Sequence, residues 1–168
     1  MKYNTARFGE IEVPKEEVVF FPEGLFGFSS YHNYVIFNTQ DGSPFRWLQS
    51  LDDGDLAFVI IEPLNFMFSY DLEVSDDETS FLGLVNPEDA VLYVIVTIPE
   101  NTADMTANLQ GPLVINIQNR KGKQIISTNQ KHSVKVKVVD ELAKREAKIK
   151  EAEKANKSEA PRVVEGQG

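Results

Sequence analysis

Two histidines, 26 carboxylates and no cysteine are the side chains from which this chain of 168 residues would have to build a reactive site. Without a thiol there is no disulfide scaffold, no thiolate zinc site and no cysteine nucleophile. The two imidazoles, His32 and His132, are too few for a multi-histidine metal centre. His132 stands between Lys131 and Ser133 at the start of an apolar run, and His32 lies in Ser-Tyr-His-Asn. Both read as solvated or capping residues rather than as a general base. No Gly-rich loop ending in Lys-Ser/Thr cradles a phosphate, and no Gly-x-Ser-x-Gly elbow presents a nucleophile. Asp52, Asp53 and Asp55 surround Gly54, but they lack the alternating ligands and closing Glu of a calcium loop and read as a solvated turn. Glycoside hydrolysis needs two opposed carboxylates, and no spacing here selects a pair. The expected class is a binding protein, not an enzyme, with no cofactor and no metal.

Charge is unevenly spread. Residues 1–119 hold 4 basic and 19 acidic side chains, a net of −15. Residues 120–139 hold 6 basic and no acidic ones, and residues 140–168 hold 7 of each. Nucleic-acid binding draws most of its affinity from phosphate neutralisation, so the acidic body argues against it. The same charge favours and steers a basic protein partner; an acidic surface kept only for solubility is the other reading. No apolar run approaches the roughly 18 residues of a membrane span. Met-Lys-Tyr-Asn-Thr lacks the apolar core of a signal peptide, so a cytoplasmic chain is expected.

The elements that must position any site read as almost all β through residue 139. Short runs rich in Val, Ile, Phe and Tyr recur at 17–21, 34–38, 56–62, 79–84, 90–98, 113–118, 124–127 and 134–138, with a further one at 9–13. Gly42 after Asp41, Gly54 after Asp53 and Gly122 after Lys121 supply turn chemistry between them. Val91–Ile98 is apolar on both faces and reads as a central strand, whereas Val134, Val136 and Val138 alternate with Lys135 and Lys137 as a half-buried edge. The predicted fold class is all-β, a single antiparallel barrel-like domain over 1–139 with short helical turns. A charged helical or disordered tail fills 140–168. There Asp140 caps a helix to about Lys157 with an apolar stripe too thin to bury firmly, and 158–168 read as disordered.

A set of ordered motifs carries more. Phe8-Gly-Glu with Ile-Glu-Val, then Phe21-Pro-Glu-Gly-Leu-Phe-Gly-Phe28, Phe45-Arg-Trp-Leu-Gln-Ser50, and Phe58 with Pro63 occur in sequence. Met105-Thr-Ala-Asn-Leu-Gln-Gly-Pro-Leu-Val-Ile-Asn116 and the stretch Arg120–Ile126 follow. Across about residues 2–138 this pattern resembles the FliW family of flagellar assembly factors; the tail lies beyond it. The resemblance implies a cytoplasmic, non-enzymatic regulator with a barrel-like fold. It also implies two partners, flagellin and CsrA, the small basic RNA-binding repressor of flagellin translation, held off its messenger until unsecreted flagellin displaces it. An acidic β-barrel that binds a small ligand or carbohydrate is the alternative.

On the residues, Gly24, Gly27 and Pro112 fit turns, and Asn108 is expected to fix backbone. The expected partner surface is Asp71, Glu73, Asp76, Asp77 and Glu78, five carboxylates directly after an aromatic-Met segment, with Met67 as an apolar anchor. Tyr70–Ser75 reads as a strand entering a loop. Met67 between Phe66 and Phe68 reads either as ordinary packing or as an adaptable contact exposed between two buried rings.

Overall fold

The computed structural model describes residues 1–40 and 42–167, with side chains through Ala155; Asp41 of the expected Asp-Gly turn and Gly168 lie outside the described residues. β1 (Lys2–Thr5) and β2 (Gly9–Glu12) form an antiparallel hairpin beside the main sheet. β3 (Val19–Phe20), β4 (Asn33–Asn38), β5 (Arg46–Ser50), β6 (Ala57–Ile61) and β7 (Ala90–Thr97) then pair in order as neighbours. A short helix, α1 (Asp76–Leu82), interrupts the path from β6 to β7. After β7 come β8 (Thr106–Ala107), β9 (Leu113–Asn116), β10 (Lys121–Gln124), β11 (Val136–Lys137) and the long helix α2 (Val138–Gln167). Short 3-10 turns lie at Lys15–Glu17, Pro63–Asn65, Pro87–Asp89 and Thr102–Asp104.

The main sheet closes on itself. The ring runs from β7 through β6, β5, β4, β3, β10 and β9 and back to β7, a closed barrel of seven strands. Closure leaves those strands without free edges. Among the described pairings only β3 with β10 is parallel, through the single pair Phe20 and Lys121. β8 pairs with the end of β7, and β11 with β8, as a flap outside the ring.

The side-chain alternation of β7 explains why its sequence is apolar throughout. Val91, Tyr93 and Ile95 face the barrel interior with Val19, Phe21, Leu25, Tyr34, Leu48, Ile60, Leu113 and Ile115. Val94 and Val96 face outward and are covered by Ile61, Phe66, Ala107, Leu109 and Val138. Ala90 and Leu92 also face outward, in a third cluster built by Leu82 of α1, Val114 and Ile125. The expected central strand is therefore buried on both faces.

Several local expectations are corrected. The run at 79–84 is not a strand but the end of α1. Ser75 Oγ accepts from Glu78 N at 3.2 Å, Ser75 N donates to Glu78 Oε2 at 3.3 Å, and Gly83 ends the helix at φ +68°. The run at 124–127 is displaced, because β10 ends at Gln124. Gly122 lies inside β10 rather than in a turn; a Cβ there would sit 2.6 Å from the Phe21 ring, so close backbone approach, not turning, requires glycine. Arg120, at φ +63°, makes the reversal instead. Only Val136–Lys137 of the expected 134–138 edge is paired, because Val138 already starts α2.

The helix begins before Asp140, which lies in its first turn rather than capping it. Val138 is buried, its N–H donates to Met105 O at 3.2 Å, and Leu142 packs on the Val94–Val96 cluster. The stripe is thus thin yet docked at its first turns. α2 also continues past Lys157, through the stretch expected to be disordered. No helix among the described residues is long and apolar enough to cross a membrane.

Candidate partner-binding surface

The expected surface lies on the connection from β6 to α1. Pro63 opens a 3-10 turn, and the chain that follows bends instead of extending. The alternation expected across Phe66–Phe68 therefore fails. Phe66 is buried, Met67 is half-buried against the Val94–Val96 cluster, and Phe68 is the exposed ring, with Lys148 Nζ 5.4 Å from its centroid. From Asp71 to Ser75 there is no strand, but period-two burial persists. Leu72 and Val74 pack inward on the third cluster, while Asp71 and Glu73 face solvent. Asp76, Asp77 and Glu78 form the first turn of α1, where negative charge complements the helix dipole. Glu78 is partly committed to the cap.

This segment passes between two grooves that share no lining residue. The first, about 420 Å³, lies between the 67–71 stretch, the 129–132 loop and α2. Met67 and Asp71 line it, facing Lys131, Lys144, Arg145 and Lys148. Lys144 pairs with Glu141 at 3.2 Å. The structure thus separates Met67 and Asp71 from the carboxylates at the start of α1.

His132 also lines this groove, and it is neither solvated nor a cap. It is buried, its ring stacks on Tyr70 at 4.3 Å, and its Nδ1 lies 2.6 Å from Ser127 Oγ. Asn129 N donates to the same hydroxyl at 3.2 Å. Tyr70 O–H donates to Leu109 O at 2.7 Å. Burial pushes the His132 pKa below its ordinary value of 6.5, with the Asp71 charge opposing. Sequence reasoning missed this layer because the exposed neighbours Lys131 and Ser133 conceal it.

The second groove, about 340 Å³, lies between α1 and the outward faces of β7 and β9. Leu72, Val74, Leu84, Val85, Leu92 and Val114 line it, with Val85 88 % exposed. Carboxylates at Glu73, Asp76, Asp77, Glu78, Glu88 and Asp89 belong to the segments that wall it. Of the expected surface, then, the acids of 73–78 adjoin an aliphatic groove that the sequence did not single out. The signal available was Leu84-Val85 directly after a helix-ending glycine.

Other singled-out residues hold backbone. Asp52 accepts from His32 N at 2.6 Å, Asn33 N at 2.9 Å and Asn33 Nδ2 at 3.1 Å. Burial alone would raise its carboxyl, but these bonds outweigh burial and hold it below the ordinary value. The His32 ring lies 3.0 Å from Phe21 O. Asn108 Oδ1 accepts from Gln110 N and Gly111 N, and so fixes backbone as expected. Gln124, buried, ties two of the quoted motifs together: its Oε1 accepts from Phe26 N at 2.8 Å and its Nε2 donates to Gly111 O at 2.9 Å.

The model of the family described as FliW protein matches residues 2–138. The flagellar assembly factor FliW of Alkaliphilus metalliredigens is 42 % identical over 145 residues, 86 % of this chain and 90 % of that protein. The protein of the same name from Leptospira biflexa is 40 % identical over 140 residues, 83 % of this chain and 92 % of that one. A crystal structure of the flagellar assembly factor FliW superposes with a TM-score of 0.75 at 36 % identity, covering 82 % of this chain and 96 % of that one.

Proposed function

Because the chain belongs to the FliW family, we propose that it is a cytoplasmic flagellar assembly factor that binds flagellin and antagonises CsrA, and so relieves repression of flagellin translation. The observation that carries this reading is the family match, which spans the whole barrel, residues 2–138. The charge supports it: a body with a net of −15 over residues 1–119 suits a basic RNA-binding repressor as partner and repels that repressor's RNA. The chain acts by binding rather than by catalysis. Its barrel interior is packed with side chains such as Phe21, Tyr34, Leu48 and Ile60, so recognition takes place on the outer surface. The carboxylates Glu73, Asp76, Asp77 and Glu78 are the proposed contacts for the basic partner; Asp71 and Met67, also expected there, lie apart from them in the first groove.

The test is a titration of the purified chain with purified CsrA and, separately, with flagellin monomer, followed by a flagellin-leader translation reporter containing CsrA. The expected result is saturable binding of both proteins and restored reporter translation when the chain is added. Absence of binding to either protein would sink the corresponding half of the reading.

A further inference from the structure

We propose that the groove between α1 and the outward faces of β7 and β9 docks a basic protein segment carrying an apolar anchor. The anchor seats against Val85, Leu84 and Leu72, and flanking Lys or Arg side chains meet Glu73 and Glu88. The proposal rests on the reading of the chain as a binder of a basic partner and assigns the place where that partner sits.

The floor is aliphatic: Leu72 and Val74 from the extended stretch, Leu92 from β7 and Val114 from β9. At its rim Val85 is 88 % exposed, yet it does not sit on a loose loop. Gly83 N donates to Ser80 O at 3.1 Å and Leu84 N to Thr79 O at 3.0 Å, so the end of α1 is closed by hydrogen bonds just before it. An apolar side chain held outward in this way loses little freedom when a partner covers it. The volume, about 340 Å³, falls in the range of clefts that hold ligands.

Charge selects the occupant. Every residue lining the groove lies between Leu72 and Val114, and residues 47–119 contain 13 carboxylates and no Lys or Arg. The cations that α1 does meet, Lys121 and Lys123, lie over the Phe81 ring at 4.3 and 5.1 Å. Phe81 is two residues from the groove-lining Thr79, roughly 200° around the helix and so on its other side. A nucleic acid or a second copy of this acidic chain would be repelled from such a rim, whereas a basic segment is drawn to it. The two parts act on different rates: the carboxylates speed encounter and the buried apolar contact slows departure.

Two probes test this: CsrA, and a fluorescein-labelled peptide alternating Lys and Leu. Each is titrated, with association and dissociation rates recorded, against the full chain, Val85→Ser, Glu88→Lys and the control Glu100→Lys. Glu100 is exposed beyond the far end of β7 and its reversal makes the same change in net charge. Val85 supports no core contact at 88 % exposure, so Val85→Ser folds. The expected result is dissociation of the peptide accelerated about tenfold by Val85→Ser. Glu88→Lys is expected to slow association more than Glu100→Lys does. Unchanged peptide dissociation from Val85→Ser, or equal slowing by the two reversals, would overturn the groove assignment. Wild-type chain that binds the peptide in this groove-dependent way but not CsrA would leave the groove standing and remove CsrA as its partner.

Discussion

At Gly122 the backbone of β10 runs against the ring of Phe21, which is fully buried. An added methyl has to displace that ring from the centre of the barrel. Gly122→Ala is expected to destabilise the fold by about 1–3 kcal/mol, read as a lower denaturant midpoint with an unchanged slope. His132 sets a pH dependence. Its folded pKa lies below 6.5, chiefly through burial, so the unfolded chain takes up the proton first as pH falls. The stability it contributes is present above pH 6.5 and is lost as pH drops from there through the folded value. Denaturant midpoints measured from neutral pH down to about pH 5 should fall, and His132→Gln should flatten that part of the curve. Asp71→Asn removes the opposing charge and should steepen it. Nothing in the sequence around His132 reveals this: the residues that bury it, Tyr70 and Ser127, come from separate loops. The role of Asn108, by contrast, was legible because Asn before a Gly-Pro turn bonds to local backbone.

Among the elements, α1 was misread as a strand. The Thr79–Leu84 run has the apolar content of a strand, but the preceding Ser-Asp-Asp-Glu is a capping box and the following glycine a helix stop. These local signals fix a helix of 7 residues that periodicity over so short a stretch cannot distinguish. Ser75→Ala should cost about 1 kcal/mol in chemical denaturation. β7 was legible because burial on both faces leaves an unbroken apolar run. β1 and β5 escape the same pattern because charged and polar residues run through them, in Lys-Tyr-Asn-Thr and Arg-Trp-Leu-Gln-Ser. For α2, composition alone suggested a stripe too thin to bury firmly, but Leu142 packs on the Val94–Val96 cluster. Deleting residues 141–168 is expected to cost about 1–2 kcal/mol, and deleting 150–168 much less than that, measured side by side by thermal melting.

For the whole molecule, the legible property was charge and the illegible one was where an apolar surface stays open beside it. Leu72, Val74, Leu84 and Leu92 look like ordinary core residues in sequence, and only the packing of α1 leaves a gap between them. Replacing Asp76 and Asp77 by Lys keeps Glu78 and hence the cap. This variant should slow association with CsrA and flatten its salt dependence, leaving dissociation nearly unchanged. Identical association rates across a salt series would remove those two residues from the encounter surface. On one side the barrel closes through a single paired position, Phe20 with Lys121, residues from opposite ends of the domain. A contact between such distant residues pays its loop entropy before anything rewards it, so it forms late. A chain emerging from the ribosome can join β3 through β7 as each hairpin appears, but the cylinder cannot close until β10 has been made. Until then β3 offers an open edge to whatever else is being synthesised nearby, and a strand translated late in the domain is the one that seals it.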